Sequence, residues 1–217
     1  ANALNANTTG VSNTATGYYS LGLLTSGTNN TAVGYESAFN ISTADNNTAV
    51  GHHSLRATTT GDECVAVGAF ALDANTTATH NTAVGHNSMT ATTTGGDNTA
   101  IGKSSMGNNT TGSNCTATGR SALAANTTGD NNTAGGSLAL DSNTTGGNNT
   151  AFGVNSLGQN TSASDNTAIG SGALGLNQTG GENTAIGRSA ALSLTTGSTN
   201  TCVGSEAGHD LTTGSNN

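Results

Sequence analysis

The stretch Asn47-Thr48-Ala49-Val50-Gly51 decides the fold, because close copies of it recur every 17 residues along the chain. A second phrase, close to Asn-Thr-Thr-Gly, ends ten residues after the glycine of the first. A period this strict indicates one small structural unit stacked on copies of itself. The glycines that end the first phrase are Gly17, Gly34, Gly51, Gly68, Gly85, Gly102, Gly119, Gly136, Gly153, Gly170, Gly187 and Gly204.

The composition of the 217-residue chain is unlike that of an ordinary globular domain. Only 32% of the residues are apolar and 3% are aromatic, and Pro and Trp are absent. Low hydrophobicity indicates disorder when it comes with high charge, but here only 7% of residues are charged. The polar residues are mostly Asn, Thr, Ser and Gly in register, which favours an ordered repeat held by backbone and side-chain ladders.

Charge and hydropathy argue against two classes of partner. The net charge is -8, with four Lys and Arg residues, whereas nucleic-acid binding needs clustered cations. No apolar run approaches the ~20 residues that span a bilayer, so no membrane span is expected. Cys64 and Cys115 are three repeats apart, about 14 Å in a stack of strands, too far for a disulfide.

Positions within the repeat are counted from the glycine, which is position 0, and the residues at one position form a column. Position -1 is mostly β-branched and apolar, and position -3 is Thr in every repeat but one. Because side chains alternate along a strand, these two columns are predicted to share the buried face. Position -2 is Ala in all repeats except at Cys202. We expect this small residue to lie on the opposite face, against a neighbour outside the coil.

The second half of the repeat supplies the rest of the predicted core. Position +4, mainly Leu or Met, is the expected core plug. Position +7 is Asn in some repeats and Leu or Ile in others, so it is predicted to point inward, with stacked amides. Position +9 is expected inside and position +8 outside. The glycines at position +10 are expected to serve turns with positive φ.

These columns predict an all-β fold, a parallel β-solenoid (β-roll) of 17-residue coils. Each coil is expected to hold two short strands and two corners. The length corresponds to about 12–13 coils in a single array over residues 1–217, which we interpret as a segment of a longer fibre. A filament of docked ends is the alternative. A helix pair does not fit 17 residues that contain two Gly-centred breaks, and Asn, Thr and Gly are poor helix formers.

The phrases Asn47–Gly51, Asn98–Gly102 and Asn183–Gly187 resemble the head repeats of trimeric autotransporter adhesins. They look even more like the Asn-Thr-Ala-x-Gly arrays of phage and bacterial tail-fibre-like proteins. The resemblance covers the whole chain and implies a left-handed β-roll, assembled as a trimer, with position -2 facing the threefold contact. Two departures are the 17-residue period, longer than the usual adhesin coil, and the absence of a coiled-coil stalk, membrane anchor or chaperone domain.

The sequence offers one candidate binding surface and no catalytic constellation. No paired carboxylates, nucleophile beside a base or converging metal ligands are found, so no enzyme activity, metal or cofactor is expected. Acidic residues at positions +11 and +12 fit solvated turns. Positions +1 and +2 form a ridge of aromatic and basic groups that suits a surface or glycan, although a solvent-facing corner that tolerates any residue also explains it. The ridge residues are Tyr18, Tyr35, His52, His86, Lys103, Arg120 and Arg188.

Asn-x-Thr/Ser triplets recur as glycosylation motifs. Those at position +7 should point inward and be blocked, whereas those at position +12 are candidates for modification. The candidates are Asn29, Asn46, Asn131 and Asn148.

Two functions remain open. The first is a structural, extracellular fibre shaft or filament on a cell surface or virion, self-associating as a homo-oligomer such as a trimer, and adhesive if the ridge binds a cell-surface glycan. The second is an ice-binding solenoid that presents the outward Thr ladder at position +8. Because +9 is expected inside, this ladder is predicted to be one residue wide.

Overall fold

A computed structural model describes residues 2–217. The chain divides into two compact units, the first ending at Thr111 and the second beginning at Gly112. Both units are all-β, and none of the described residues lies in a helix. The strands of the first unit are β1 (Thr14–Thr16), β2 (Thr31–Val33), β3 (Thr48–Val50), β4 (Val65–Val67), β5 (Thr82–Val84) and β6 (Thr99–Ile101). Those of the second unit are β7 (Thr116–Thr118), β8 (Thr133–Gly135), β9 (Thr150–Phe152), β10 (Thr167–Ile169), β11 (Thr184–Ile186) and β12 (Thr201–Val203).

Within each unit the strands pair in parallel and in chain order. Every strand residue faces the residue 17 positions later, as Ala32 faces Ala49 in the first unit and Ala168 faces Ala185 in the second. Equivalent side chains therefore lie directly over one another. The prediction of a parallel β-solenoid with 17-residue coils is confirmed.

Each coil contains one strand of three residues, so the prediction of two strands per coil is wrong. The rest of the coil is turn, with left-handed backbone at positions +2, +4 and +12, as at Phe70, Leu72 and His80 (φ 59°, 51° and 59°). Left-handed residues interrupt the extended backbone that a second strand requires. The bends bring the chain back to its starting point within 17 residues.

The strand faces the core in the orientation opposite to the predicted one. The Ala at position -2 is fully buried, as at Ala83 and Ala168, while positions -3 and -1 point outward. Position -2 therefore cannot face a neighbouring chain. The reason is the size of the coil: the Leu or Met at position +4 and the amides of the turns fill its interior. Only a methyl group fits beside them.

The predictions for positions +4 and +7 are confirmed. Leu72, Leu140 and Leu174 at position +4 have no exposed surface, and the small residues at position +3 are buried around them. The prediction for position +9 is wrong, because Thr77 and Thr94 there are exposed. The chain bends after position +7, so strand alternation does not hold across the bend.

Glycine is needed for different reasons at positions 0 and +10. The glycines at position 0 have φ from 129° to 140°, a conformation that side chains rarely adopt. Those at position +10, such as Gly61 and Gly129, have no positive φ, which corrects the prediction for them. A Cβ at either would lie against the position +10 carbonyl of the next coil, so close coil packing favours glycine there.

A column of Asn at position -4, which we call the asparagine column, joins neighbouring coils. The amide nitrogen of Asn149 donates to the carbonyl of Ala163, at position +10 of the same repeat, at 2.8 Å. Its amide oxygen accepts the backbone N–H of Asn166 at 3.1 Å. All Asn of this column from Asn30 to Asn200 are buried. Each such side chain therefore satisfies backbone groups that would otherwise be buried without partners.

Candidate interaction surfaces

The outward side chains at positions -3 and -1 form what we call the strand face. Position -3 contributes half-buried Thr, as at Thr48 and Thr167, and position -1 contributes apolar side chains. Exposed apolar residues are normally scattered, so columns of them mark a surface for interaction. The members at position -1 that are more than a third exposed are Val33, Val50, Val67, Ile101, Phe152, Ile169, Ile186 and Val203.

The strand face is uncharged and its hydroxyl groups are free of internal bonds. All 12 Asp and Glu and all four Lys and Arg lie outside positions -3 to -1. Among the hydrogen bonds of residues 2–217, none involves a hydroxyl at position -3. Thr, Val and Ile are also restricted at χ1, so these side chains are held in fixed directions. Sequence reasoning missed this face because it placed both columns inside.

The one glycine in the outward column at position -1 is covered by a neighbour. A Cβ at Gly135 would collide with the ring of Phe152, which lies over it from the next strand. The irregular sequence around Gly135 therefore leaves no gap, because the aromatic ring fills the space of the missing side chain.

The predicted ridge at position +1 is exposed, and three of its members stack in the first unit. The rings of Tyr18 and Tyr35 are 5.5 Å apart with an interplanar angle of 14°, and those of Tyr35 and His52 are 5.4 Å apart at 15°. Phe70 contacts His52 and His86 edge to face, at 5.0 and 6.1 Å. The structure thus brings Tyr18, Tyr35, His52 and His86 into one aromatic corner, whose stacked rings turn their faces toward each other.

A second layer of side chains at position +2 supports the aromatic corner. Tyr19 packs edge-on against Tyr18, and the rings of His52 and His53 lie 3.9 Å apart. Burial, followed by the neighbouring His52, lowers the pKa of His53. A hydrogen bond with Glu36 raises the pKa of Tyr35. Both shifts favour the uncharged form of these two side chains.

The basic members of the ridge are exposed but stand apart from the stacked rings. Lys103 belongs to the first unit, and Arg120 and Arg188 belong to the second. Arg188 forms an ion pair with Glu206. In the second unit, position +1 is otherwise filled by small or aliphatic residues such as Ser137 and Val154. The ridge is therefore aromatic only in the first unit.

The candidate glycosylation sites at position +12 are exposed, with left-handed backbone. The amide of Asn29 donates to the Asn46 side chain at 3.3 Å, and that of Asn148 to Asp165 at 3.1 Å. Asn114 has the same exposed position in an Asn-Cys-Thr triplet that the sequence prediction passed over. The +7 asparagines from Asn75 to Asn177 are buried, as predicted. Modification of the exposed sites stays a prediction.

The Thr ladder at position +8 differs from the strand face in what its hydroxyl groups do. Thr59 donates to the carbonyl of Thr76 at 3.1 Å, and Thr144 donates to that of Thr161 at 2.8 Å. The same bond recurs along both units, so these hydroxyl protons are already used between coils. Since the +9 side chains are also exposed, the ladder is not an isolated single column.

Within residues 2–217, no group of three or more His, Cys, Asp or Glu side chains is arranged to hold a metal ion. The same residues include no helix long and apolar enough to cross a membrane. The fold and surfaces define the class of protein as a parallel β-solenoid with an uncharged strand face. Comparison with protein-family models, curated proteins and solved structures gives no match to this chain.

Proposed function

We propose that the chain is a structural element of an extracellular fibre, either a shaft or filament on a cell surface or part of a virion. The observation that carries this proposal is that bonds between coils recur in register through strand, asparagine column and Thr ladder. Each coil adds the same set of bonds, so length adds stability in the manner of repeat proteins. The resemblance to adhesin heads and tail-fibre-like arrays supports the same function.

Self-association into a homo-oligomer or filament, with a trimer as one form, belongs to this proposal. Contact between chains must use outward side chains, because the Ala at position -2 is enclosed by its own coil. Negative-stain electron microscopy of concentrated purified protein is expected to show assemblies of uniform width. A single-chain mass of 21.0 kDa by light scattering at every concentration tested would contradict self-association.

An adhesive role is proposed for the aromatic corner. The ring faces are occupied by stacking, so a glycan would meet ring edges, Tyr hydroxyl groups and imidazole nitrogens rather than open faces. Glycan-array binding that Tyr35→Ser weakens and Ser137→Ala leaves unchanged is the expected result. Ser137 is a matched control because it occupies position +1 in the second unit. Equal binding by both variants would remove the corner from this role.

Ice binding is the second candidate function. The observation that favours it is the in-register array of outward Thr and aliphatic side chains on parallel strands. A rigid and regular array of methyl and hydroxyl groups can order water in a repeating pattern. The purified protein is expected to show thermal hysteresis and to shape ice crystals. Ice growth indistinguishable from buffer at high protein concentration would exclude this function.

A further inference from the structure

We infer that, if the chain binds ice, the binding site is the strand face and not the Thr ladder at position +8. This inference rests on the second candidate function and assigns it a site. The ligand is a crystalline water surface. A second copy of the chain is the competing occupant, and the experiment below separates the two.

The strand face has a regular geometry. The strands of each unit pair in register, so positions -3 and -1 form two columns with a constant step. Rungs are ~4.8 Å apart, and residues two positions apart on a strand are separated by ~6.7 Å. Thr167 and Ile169 therefore belong to a nearly rectangular net of side chains. Repeat distances of this order also occur on the prism faces of ice, so many side chains can meet equivalent lattice positions together.

The hydroxyl groups of the strand face and of the Thr ladder differ in their hydrogen bonds. The Thr side chains at position -3 have no internal hydrogen-bond partner in the described part of the chain, so each can bond to water. At position +8, the hydroxyl protons of Thr59 and Thr144 are donated to backbone carbonyls. Of these two columns, only position -3 offers its Thr protons to a ligand.

The strand face is uncharged, and its side chains have few rotamers to lose. Charged side chains bind disordered hydration water strongly, and none lies at positions -3 to -1. The β-branched side chains lose little rotamer freedom when a surface covers them, because χ1 is already restricted. A preorganised surface of this kind binds an ordered ligand at a low entropic cost.

The experiment measures thermal hysteresis for the full chain and three variants. Thr167→Tyr and Thr48→Tyr place a bulky ring on the strand face of the second and first units. Thr161→Tyr places the same ring on the Thr ladder at position +8. Urea unfolding confirms that each variant is folded. We expect a several-fold loss of thermal hysteresis for the two strand-face variants and little change for Thr161→Tyr.

Each alternative outcome has a distinct meaning. If Thr161→Tyr abolishes thermal hysteresis and the strand-face variants retain it, the site assignment is wrong while ice binding stands. If the unmodified chain shows no hysteresis, ice binding itself fails. If the chain shows no hysteresis and forms an oligomer by light scattering that the strand-face variants dissociate, the face holds a second copy, which overturns the inference.

Discussion

Two columns of buried asparagine run through the coils, and they differ in what they tolerate. The asparagine column at position -4 is Asn in every repeat except at Cys64 and Cys115. The column at position +7 alternates Asn with Leu, Ile and Thr, as at Leu24, Ile41 and Thr58. Both columns are buried. The same side chain is therefore nearly obligatory in one column and exchangeable in the other.

The difference arises because the two columns share an acceptor. The carbonyl of Ala163, at position +10, accepts the amide of Asn149 at 2.8 Å and that of Asn160 at 3.0 Å. In coils with an aliphatic residue at position +7, the asparagine column still supplies this bond, as Asn183 does to Gly197 beside Leu194. Only the asparagine column also accepts a backbone N–H of the next coil. No aliphatic residue can replace its side chain in that role.

The two cysteines at position -4 also share a carbonyl acceptor with an Asn at position +7. The thiol of Cys64 lies 3.4 Å from the carbonyl of Ala78 and is a weak donor. In that coil position +7 is Asn75, whose amide donates to the same carbonyl at 3.2 Å. The coil that contains Gly129 repeats the arrangement with Cys115 and Asn126. A weak donor in one column is thus accompanied by an amide in the other.

The largest expected effect comes from a comparison of two Leu substitutions, one in each Asn column, at residues that donate to the carbonyl of Ala163. Asn149→Leu leaves the buried N–H of Asn166 without its acceptor, and we expect it to lower the free energy of unfolding by about 2–3 kcal/mol. Asn160→Leu should cost less, about 1 kcal/mol, because it removes the donor of the Asn143 amide oxygen but leaves no backbone group without a partner. Asn149 still serves Ala163, and the amide oxygen that is lost from Asn160 had no partner. Urea unfolding measures both.

A third variant tests whether bonding or volume sets the cost. Asn149→Cys introduces the residue found at positions 64 and 115, so a stability between those of the two Leu variants is expected. If Asn149→Leu and Asn160→Leu were equally destabilising, the distinction between the columns would be wrong.

The next effect is a coupling between columns. Asn75→Leu alone leaves Ala78 with only the thiol of Cys64 as donor, and we expect a loss of about 1–2 kcal/mol. With Cys64→Asn already present, the same change should cost less, because the new amide reaches Ala78. A double-mutant cycle in urea is expected to give a coupling energy of about 1 kcal/mol. Strict additivity would show that the two side chains do not share the acceptor.

How far the sequence predicts this molecule depends on which column is considered. The 17-residue period, the Leu plug and the inward Asn at position +7 follow directly from the residues. The strand orientation does not, because Val50 and Ile101 suggest burial by their chemistry alone. The better signal was variation: position -2 is restricted to Ala and Cys, as a tight interior requires, whereas position -1 ranges from Gly135 to Phe152.

The surfaces were harder to predict than the core. The exposure of the ridge residues was expected. The stacking of Tyr18, Tyr35 and His52 was not, because it depends on ring orientation, which the residue types at position +1 do not determine. The bonding of the asparagine column was missed, since its backbone partners lie 14 and 17 residues ahead along the chain. The strand face could not be proposed while its columns were placed inside.

The buried cysteines give a pH dependence to the asparagine column. Burial raises the pKa of Cys64 and of Cys115 from 9.0 to about 11. The unfolded chain therefore loses these protons first, so stability is unaffected below pH 9 and falls as pH rises toward 11. At pH 10 the expected loss is about 1.4 kcal/mol per thiol. Urea unfolding at pH 8 and pH 10 measures it.

Cys64→Asn is the control for this pH dependence, because it removes one of the two thiols and keeps the bond to Ala78. Between pH 8 and pH 10, the free energy of unfolding of the variant should fall by about half as much as that of the unmodified chain. An unchanged decline would place its origin in other groups.

The smallest expected effect comes from restoring a missing hydrogen bond in the column at position +7. The hydroxyl of Thr92 and the amide oxygen of Asn75 are both buried without hydrogen-bond partners, one coil apart. Thr92→Asn supplies an amide that can donate to Asn75, as Asn160 donates to Asn143 at 2.9 Å. We expect a gain of about 1 kcal/mol in the free energy of unfolding. Thr92→Val removes the hydroxyl without adding a donor, and should gain less. A gain by Val equal to that by Asn would mean that burying the hydroxyl, and not the missing amide bond, is what weakens this coil.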